Sequence, residues 1–439
     1  MTRRHKTFVI KTGFSRIEFV NRRISEKTVD KSALLQNAKS KFSEISMEWE
    51  ETMRYPVFLQ ENGTIGFVAP SFGCATEPYK SGFLNAQKSW QEQGFGLTLG
   101  PNCYVEEGVG ISNAPKKCGE ELTAYYCDKN NDCLISCGGG ELMCEILDYV
   151  DFKRIKEADP KWYLGYSDNT NFTFLLTTLC DVASVYGPCA AAFGMEPLHP
   201  SLNDAMLLLQ GKKLSMHGYD KWERESRKDE EHPYEPYNLT ETSVIKYYLP
   251  DGRTNVENLR GMAVKVVAHG TEDGQSVVSE ATESCAGQNR TGTDTDGEIR
   301  FSGRLLGGCM DCLVNLLGTK YDRVAEFAEK YQEDGIVWFL EACDLNLMGI
   351  RRAMWQMEHA GWFRYCKGFL IGRPRLGMGV EEFGIDSYQA VCEMLYAYQV
   401  PVLMDLDIGH LPPAMPLICG SMANVVSDGK TYRVEMELE

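Results

Sequence analysis

The chain has 439 residues, of which 43% are hydrophobic and 24% charged, and its formal net charge at pH 7 is −17. This composition is typical of a globular protein of about two domains, and the acidic charge argues against a nucleic-acid partner because phosphate binding needs a basic surface. No apolar run reaches about 18 residues and no secretion signal is recognisable, so we expect no membrane partner, a cytoplasmic location and reduced cysteines.

Residues 1–54 differ in charge from the rest of the chain. They hold 12 Lys and Arg residues against 7 Asp and Glu residues. The apolar periodicity over 30–53 predicts an amphipathic helix. We interpret this segment as a peripheral N-terminal extension rather than as an arm for an anionic partner.

Residues 55–214 alternate between predicted strands and helices. Such alternation predicts a parallel sheet with helices on both faces, in which binding sites lie at the carboxyl ends of the strands. The predicted strands are 64–70, 95–99, 132–137, 162–165 and 185–188, and the predicted helices are 79–93, 120–129, 141–147 and one that begins near 169.

Ser167 lies in the short turn between the strand 162–165 and the following helix. A serine at a sharp strand-to-helix turn presents its hydroxyl, and the first N–H groups of the helix would stabilise an oxyanion beside it. The other interpretation is that Ser167 and Asp168 only cap the helix. The glycine that the hydrolase elbow carries two residues after the serine is Asn169 here.

The glycine run Gly138–Gly140 follows the strand 132–137, at the same predicted edge as Ser167. No Lys-Ser/Thr pair follows it, so it is not a P-loop. It is either a tight turn or a backbone donor for an oxyanion, because glycine lets an N–H group approach a substrate closely. We expect it to face Ser167.

Residues 215–300 are polar and irregular, and we interpret them as a connecting region between two domains that overhangs the site. Strands are predicted at 243–249 and 262–268, and the run 270–297 is rich in Gly, Ser, Thr and Asp.

Residues 301–439 form the second predicted domain, with strands at 335–340, 368–372 and 401–404 and a helix at 350–361. Glu341 ends the first of these strands. His410 follows the last one and is, of the seven histidines, the one best placed at a strand end. Cys309 and Cys312 form the single C-x-x-C pair. A structural zinc site would need a second pair, so we interpret them as two packed thiols on a helix.

Seven separated motifs, taken together, resemble the LD-carboxypeptidase family of serine peptidases, which includes the microcin-immunity peptidases. They occur in the family's order and span most of the chain after residue 64. The motifs are IGFVAPS at 65–71, the glycine run at 138–140, LGYSDNT at 164–170, YGP at 186–188, GRLLGG at 303–308, FLE at 339–341, and DIGH at 407–410 before MPL at 415–417.

The resemblance implies a Ser-His-Glu triad, with Ser167 as nucleophile, His410 as base and Glu341 as the group that orients the imidazole. It implies that the N–H groups of Asp168 and Gly139 hold the oxyanion, and that no metal or organic cofactor is needed. It further implies an α/β fold with an N-terminal parallel-sheet, flavodoxin-like domain, a C-terminal mixed α/β domain, an active site between them, and a homodimer.

The substrate implied by the resemblance is a murein tetrapeptide, cut before its terminal D-alanine. An immunity-type amidase acting on aminoacyl-nucleotides is the alternative. The first substrate needs a cation for its carboxylate, and the second needs an aromatic stacking group. The candidates are Arg304, Arg373 and Arg375 for the first, and Trp222, Tyr234 and Tyr237 for the second.

Two rival classes make different predictions. An α/β-hydrolase esterase would carry acid and histidine on the nucleophile's own sheet, whereas here a long polar region separates them. A non-catalytic binding protein would have a broken triad, whereas all three residues are present. One departure from the family pattern is Cys309-Met310, where many relatives have Asn-Leu. The extension 1–54 has no counterpart that we can match.

Overall fold

The computed structural model describes residues 52–260 and 297–439, and the fold below is that of the unit Thr52–Glu439. The predicted strand at 262–268 lies outside the described residues, as do nearly all of the predicted helix at 30–53 and of the run 270–297. Their predictions stay predictions.

The described residues form eighteen strands, most of which belong to two sheets. The strands are β1 Thr64–Val68, β2 Gly96–Leu99, β3 Cys133–Ser136, β4 Trp162–Gly165, β5 Ser184–Tyr186, β6 Ser215–His217, β7 Lys221–Trp222, β8 Glu241–Thr242, β9 Lys246–Tyr248, β10 Ile299–Cys309, β11 Ile336–Glu341, β12 Cys366–Gly372, β13 Glu381–Glu382, β14 Ile385–Asp386, β15 Val402–Leu406, β16 Leu417–Cys419, β17 Met422–Ser427 and β18 Tyr432–Glu437.

Nine α-helices and five short 3₁₀ turns connect these strands within the described residues. None of these helices is both long and apolar enough to cross a membrane. The helices are α1 Tyr79–Glu92, α2 Pro115–Tyr126, α3 Phe152–Glu157, α4 Thr170–Cys180, α5 Pro200–Leu209, α6 Met310–Leu316, α7 Val324–Lys330, α8 Leu347–His359 and α9 Ser387–Leu395, and the 3₁₀ turns are Met143–Tyr149, Ser167–Asn169, Ala190–Gly194, Glu257–Leu259 and Tyr396–Tyr398.

The first sheet has the predicted parallel arrangement. Its first five strands are parallel and lie in the order β2-β1-β3-β4-β5, and β16 adds to β5 in the antiparallel sense. The order 2-1-3-4-5 is that of flavodoxin-like folds, which bind ligands at the carboxyl edge. The prediction of an N-terminal flavodoxin-like sheet is therefore confirmed.

The second sheet is mixed, also as predicted. Its eight strands lie in the order β6-β18-β17-β10-β11-β12-β15-β9. The four strands β10, β11, β12 and β15 are parallel to one another, and the flanking strands pair in the antiparallel sense. The carboxyl ends of β11 and β15 consequently meet at one edge, where Glu341 ends β11 and His410 lies four residues beyond β15.

Helix α4 packs between the two sheets. All of its residues except Leu179 are buried, and its buried threonines donate hydrogen bonds to backbone carbonyls one turn earlier, so that their hydroxyls are satisfied inside the protein. On one side the Phe172 ring lies 4.7 Å from that of Tyr163 in β4, and on the other the Phe174 ring lies 5.4 Å from that of Trp362. The start of α4 is therefore held at the junction of the two sheets.

Several predicted helix positions were wrong. Helix α2 begins at Pro115, five residues before the predicted start, because a proline suits the first position of a helix. The predicted helix at 141–147 is instead the 3₁₀ turn Met143–Tyr149, and the helices α3, α5, α7 and α9 were not predicted. The C-x-x-C pair does not lie on one helix, since Cys309 ends β10 and Cys312 lies in α6.

Candidate active site

Ser167 lies at the sharp turn between β4 and α4, where the sequence predicted it. Its φ is +57°, a left-handed value that is uncommon for a residue other than glycine and costs free energy. The surrounding contacts hold this conformation. The Ser167 N–H donates to the Tyr186 hydroxyl at 3.3 Å, and the Thr170 hydroxyl donates to the Ser167 carbonyl.

Asn169 takes the place of the glycine expected in the turn. Its side-chain amide donates to the carbonyl oxygens of Gly138 at 2.9 Å and Tyr166 at 3.1 Å, and its Oδ1 accepts a hydrogen bond from Tyr163. The asparagine therefore connects the serine turn to the glycine run, which is why this position is polar in this chain.

The structure brings the three predicted triad residues together. His410 Nε2 lies 2.8 Å from Ser167 Oγ, and His410 Nδ1 lies 2.9 Å from Glu341 Oε2. The Glu341 side chain is 0% exposed and that of His410 is 13% exposed. Gly409 makes the close approach feasible, because a Cβ at that position would lie 2.4 Å from Glu341 Oε2.

Charge complementarity couples Glu341 to His410. Burial by itself would raise the pKa of the Glu341 carboxyl, but the imidazole and the hydrogen bonds to the carboxylate outweigh burial and lower that pKa. Burial would lower the pKa of His410, but the Glu341 charge outweighs it and raises that pKa well above its usual value. An ionised Glu341 can only accept, so Nδ1 carries a proton and Nε2 of the neutral ring accepts from Ser167.

Tyr186 is a functional candidate that the sequence analysis missed. Its hydroxyl donates to Glu341 Oε1 at 2.7 Å and accepts the Ser167 N–H. Its side chain is buried. It therefore connects the two ends of the predicted triad through one oxygen atom. The signal available in the sequence was its place in the YGP motif, at the end of a strand.

The glycine run faces Ser167, as predicted. A Cβ at Gly139 would lie 3.2 Å from Ser167 Oγ, so a side chain there would crowd the hydroxyl. The Gly139 carbonyl accepts from the Phe72 N–H at 2.8 Å, whereas no protein acceptor for the Gly139 N–H occurs among residues 52–260 and 297–439. The oxyanion role of Gly139 stays a prediction.

The side chain of Asp168 anchors the turn to its own domain. Its Oδ2 accepts from the Ser71 hydroxyl at 2.5 Å and from the Met143 N–H at 2.8 Å. Burial raises the pKa of this carboxyl to about 6. The oxyanion role predicted for Asp168 involves its backbone N–H and also stays a prediction.

A cavity of about 770 Å³ opens onto Ser167, His410 and the glycine run. Besides Asp168, four acidic residues line it: Glu106, Glu141, Asp311 and Asp344. The described part of the lining includes neither lysine nor arginine. Asp311 is committed to the backbone, because its carboxylate accepts the N–H groups of residues 343–345. Another cavity, of about 820 Å³, lies at the amino ends of β1, β3 and β4 and contains none of the predicted site residues.

The predicted substrate-binding residues lie outside the cavity lining. Arg304 pairs with Asp334, and Arg373 pairs with Asp407. The side chains of both arginines have almost no exposure. Arg375 is half-exposed and pairs with Asp344, which lines the cavity. The three aromatic candidates also lie elsewhere. Trp222 is buried against the Arg373 guanidinium, Tyr237 packs on His199, and Tyr234 is exposed.

Two family models match this chain, one for each sheet-bearing segment. The LD-carboxypeptidase N-terminal domain matches residues 65–187, and the LD-carboxypeptidase C-terminal domain matches residues 302–425. The first match includes Ser167, and the second includes Glu341 and His410.

Curated relatives and solved structures agree with these matches. A Vibrio cholerae protein named as a candidate carboxypeptidase is 21% identical over 87% of this chain and 98% of its own length. The microcin C7 self-immunity protein MccF of Escherichia coli is 22% identical over 84% of this chain and 92% of its own length.

Among solved structures, MccF in complex with glutamyl sulfamoyl guanosine has a TM-score of 0.64 at 19% identity and covers 87% of this chain and 98% of its own. A MccF-like protein from Bacillus anthracis has a TM-score of 0.62 at 18% identity, over 88% and 100%. These structures share the fold of this chain.

Proposed function

Because this chain belongs to the LD-carboxypeptidase family, we propose that it is a serine peptidase whose catalytic triad is Ser167, His410 and Glu341. One observation carries the proposal. A continuous series of hydrogen bonds runs from Ser167 Oγ through the His410 ring to Glu341, and it joins residues from two different sheets. This is the spatial relation that nucleophile, base and orienting acid need.

In the proposed mechanism His410 Nε2 takes the proton of Ser167 as the hydroxyl attacks the scissile carbonyl. The buried Glu341 carboxylate stabilises the imidazolium that forms. The N–H groups of Asp168 and Gly139 stabilise the oxyanion of the tetrahedral intermediate. The imidazolium then protonates the leaving amine, and water attacks the acyl-enzyme with His410 again as base. Each of these groups belongs to the chain itself, so the scheme uses no cofactor.

The substrate that we propose first is a murein tetrapeptide, from which the enzyme removes the terminal D-alanine. The carboxylate of that residue needs a charged partner near the cavity. Of the three arginine candidates, Arg375 alone is half-exposed, and its partner Asp344 lines the cavity. We therefore assign the carboxylate contact to Arg375, which would have to exchange Asp344 for the substrate.

A second candidate is an immunity-type amidase that acts on aminoacyl-nucleotides. The acidic lining of the cavity favours it, because Glu106, Glu141 and Asp344 would attract the free ammonium group of an aminoacyl compound. The same carboxylates would repel a terminal carboxylate. MccF itself has been solved with glutamyl sulfamoyl guanosine, which is an observation about that protein.

Mass spectrometry of the purified full chain can separate the two substrates. The chain and its Ser167→Ala variant are incubated with murein tri-, tetra- and pentapeptides and with an aminoacyl-adenylate analogue. Release of D-alanine from the tetrapeptide alone supports the first proposal, and cleavage of the adenylate analogue alone supports the second. If neither is cleaved and a fluorophosphonate does not label Ser167, the proposed triad is wrong.

We further propose that the active species is a homodimer in the cytoplasm. The family resemblance supports the dimer, and the composition supports the compartment. Light scattering coupled to size-exclusion chromatography measures the mass of the full chain in solution. A mass equal to one chain at all concentrations would contradict the dimer.

A further inference from the structure

Three metal-ligand side chains meet beside the proposed nucleophile. Cys309 ends β10 and Glu341 ends β11, and parallel pairing puts these two residues side by side. His410 approaches from the loop after β15. One ligand atom from each residue, a sulfur, a carboxylate oxygen and a ring nitrogen, lies within 4.8 Å of the other two.

The thiol of this cluster is held in place. The Cys309 N–H donates to the Thr170 hydroxyl at 3.0 Å, and its sulfur lies 3.4 Å from Asp311 Oδ2. Cys309 is 1% exposed, yet it lines the cavity that reaches Ser167. An ion that enters this cavity therefore meets a sulfur ligand as well as the triad.

The chemistry of these ligands selects one class of ion. Thiolate, imidazole and carboxylate together suit Zn²⁺, which binds them at about 2.0–2.3 Å in a tetrahedral arrangement. Ligand atoms around such an ion lie roughly 3–4 Å apart. His410 Nδ1 and Glu341 Oε2 are already 2.9 Å apart, so only a small movement of side chains is required.

We propose that Cys309, Glu341 and His410 form a Zn²⁺ site, and that Zn²⁺ bound there reversibly inhibits the enzyme. The Cys309 thiol releases its proton to solvent on binding. His410 binds through Nδ1, so the single proton of its neutral ring moves to Nε2. Nε2 then faces Ser167 Oγ as a donor and can no longer accept the serine proton. A water molecule from the cavity completes the fourth position.

Cobalt substitution tests the site without any substrate. The full chain, kept reduced with a phosphine, is titrated with Co²⁺, and a sulfur-to-cobalt charge-transfer band in the near ultraviolet is the expected result. The band should vanish in Cys309→Ser. It should also vanish in Cys309→Asn, which serves as a second variant if Cys309→Ser does not fold. It should persist in Cys127→Ser, a half-buried cysteine outside the cavity lining. No band, or a band unchanged in both Cys309 variants, overturns the site.

Fluorophosphonate labelling of Ser167 tests the inhibition. Zn²⁺ should slow labelling of the wild type and of Cys127→Ser, and a chelator should restore it. In Cys309→Ser the Zn²⁺ concentration for half inhibition should rise by at least about 10–100-fold, because loss of a group that only orients a metal ligand already weakens binding by that order and Cys309 is a ligand itself. Labelling that stays at the metal-free rate with Zn²⁺ bound overturns the inhibition. The cobalt band does not depend on Ser167, so a failure of the proposed triad is recognised separately.

Discussion

The cavity has two regions that differ in rigidity and exposure. Its floor comprises Ser167 and His410, which are half-buried, together with the fully buried Glu341 behind them, and hydrogen bonds join the three residues across two sheets. Its rim comprises Glu106, Glu141 and Asp344, which are exposed. A rigid floor suits bond cleavage, because reacting groups must be positioned closely, whereas an exposed rim can exchange partners with a substrate. We therefore expect floor variants to change kcat and rim variants to change KM.

Ser167→Ala tests the floor most severely. It removes the proposed nucleophile, and turnover should fall by about 10⁴–10⁶. The assay is steady-state hydrolysis of whichever substrate the panel identifies, with circular dichroism to verify folding. A folded Ser167→Ala variant with wild-type turnover would show that the floor does not perform the reaction.

Tyr186→Phe removes the hydroxyl that joins the Ser167 N–H to Glu341. Because hydrogen bonds to charged groups contribute about 1.5–3 kcal/mol, kcat should fall by about 10–100-fold with little change in KM. Tyr186 is a positioning residue, so the pH profile of kcat should move as well. Tyr248→Phe is the matched control, since its buried hydroxyl has no partner in the described part of the chain. Equal kinetics for the two variants would contradict the assignment.

Arg375→Gln tests the partner of the rim residue Asp344. If this side chain binds the terminal carboxylate, KM for the tetrapeptide should rise by about tenfold, the order of one charge-assisted hydrogen bond, while kcat changes little. Arg364→Gln is the control, because Arg364 pairs with Glu329 and lies outside the cavity lining. A fall in kcat at constant KM would contradict the carboxylate-binding role assigned to Arg375.

The pH dependence of kcat/KM tests the interaction between Glu341 and His410, and the effect expected there is the smallest of the four. The Glu341 charge raises the pKa of His410 above 6.5, and only the neutral ring can accept the serine proton. In the presence of a chelator, kcat/KM should therefore rise with pH with a midpoint above 6.5, and Glu341→Gln should lower that midpoint. A wild-type midpoint below 6.5 would mean that the carboxylate does not act on the ring.

Local pattern indicated that Ser167, Glu341 and His410 lie at strand ends, and the family resemblance implied their roles as a triad, but neither indicated the contacts that connect them. Strand β4 has the predicted bounds, and Ser167, Glu341 and His410 lie at strand ends as expected. The role of Tyr186 was not predictable, because its hydroxyl meets a carboxylate 155 positions away. Such contacts depend on how two sheets pack, which no short window of sequence records.

The residues around the cavity opening were not predicted either, and the reason is physical. Arg304 and Arg373 were candidates for binding a substrate carboxylate, but both guanidinium groups are buried, and a buried charge needs a partner, which is Asp334 for Arg304 and Asp407 for Arg373. The acidic lining gathers residues from segments near 106, 141 and 344, which no motif connects. Helices α3, α5, α7 and α9 were not predicted, and α2 begins earlier than predicted because Pro115 occupies its first position.

The pairing of β16 with β5 has a consequence for biosynthesis. Strand β16, which completes the sheet that carries Ser167, is residues 417–419, and the proposed base is residue 410. During translation, the ribosome must release all of this polypeptide before the sheet can close and the imidazole can reach its hydroxyl. On the proposed triad, the emerging chain is therefore expected to be inactive toward peptides until nearly the whole unit has been synthesised.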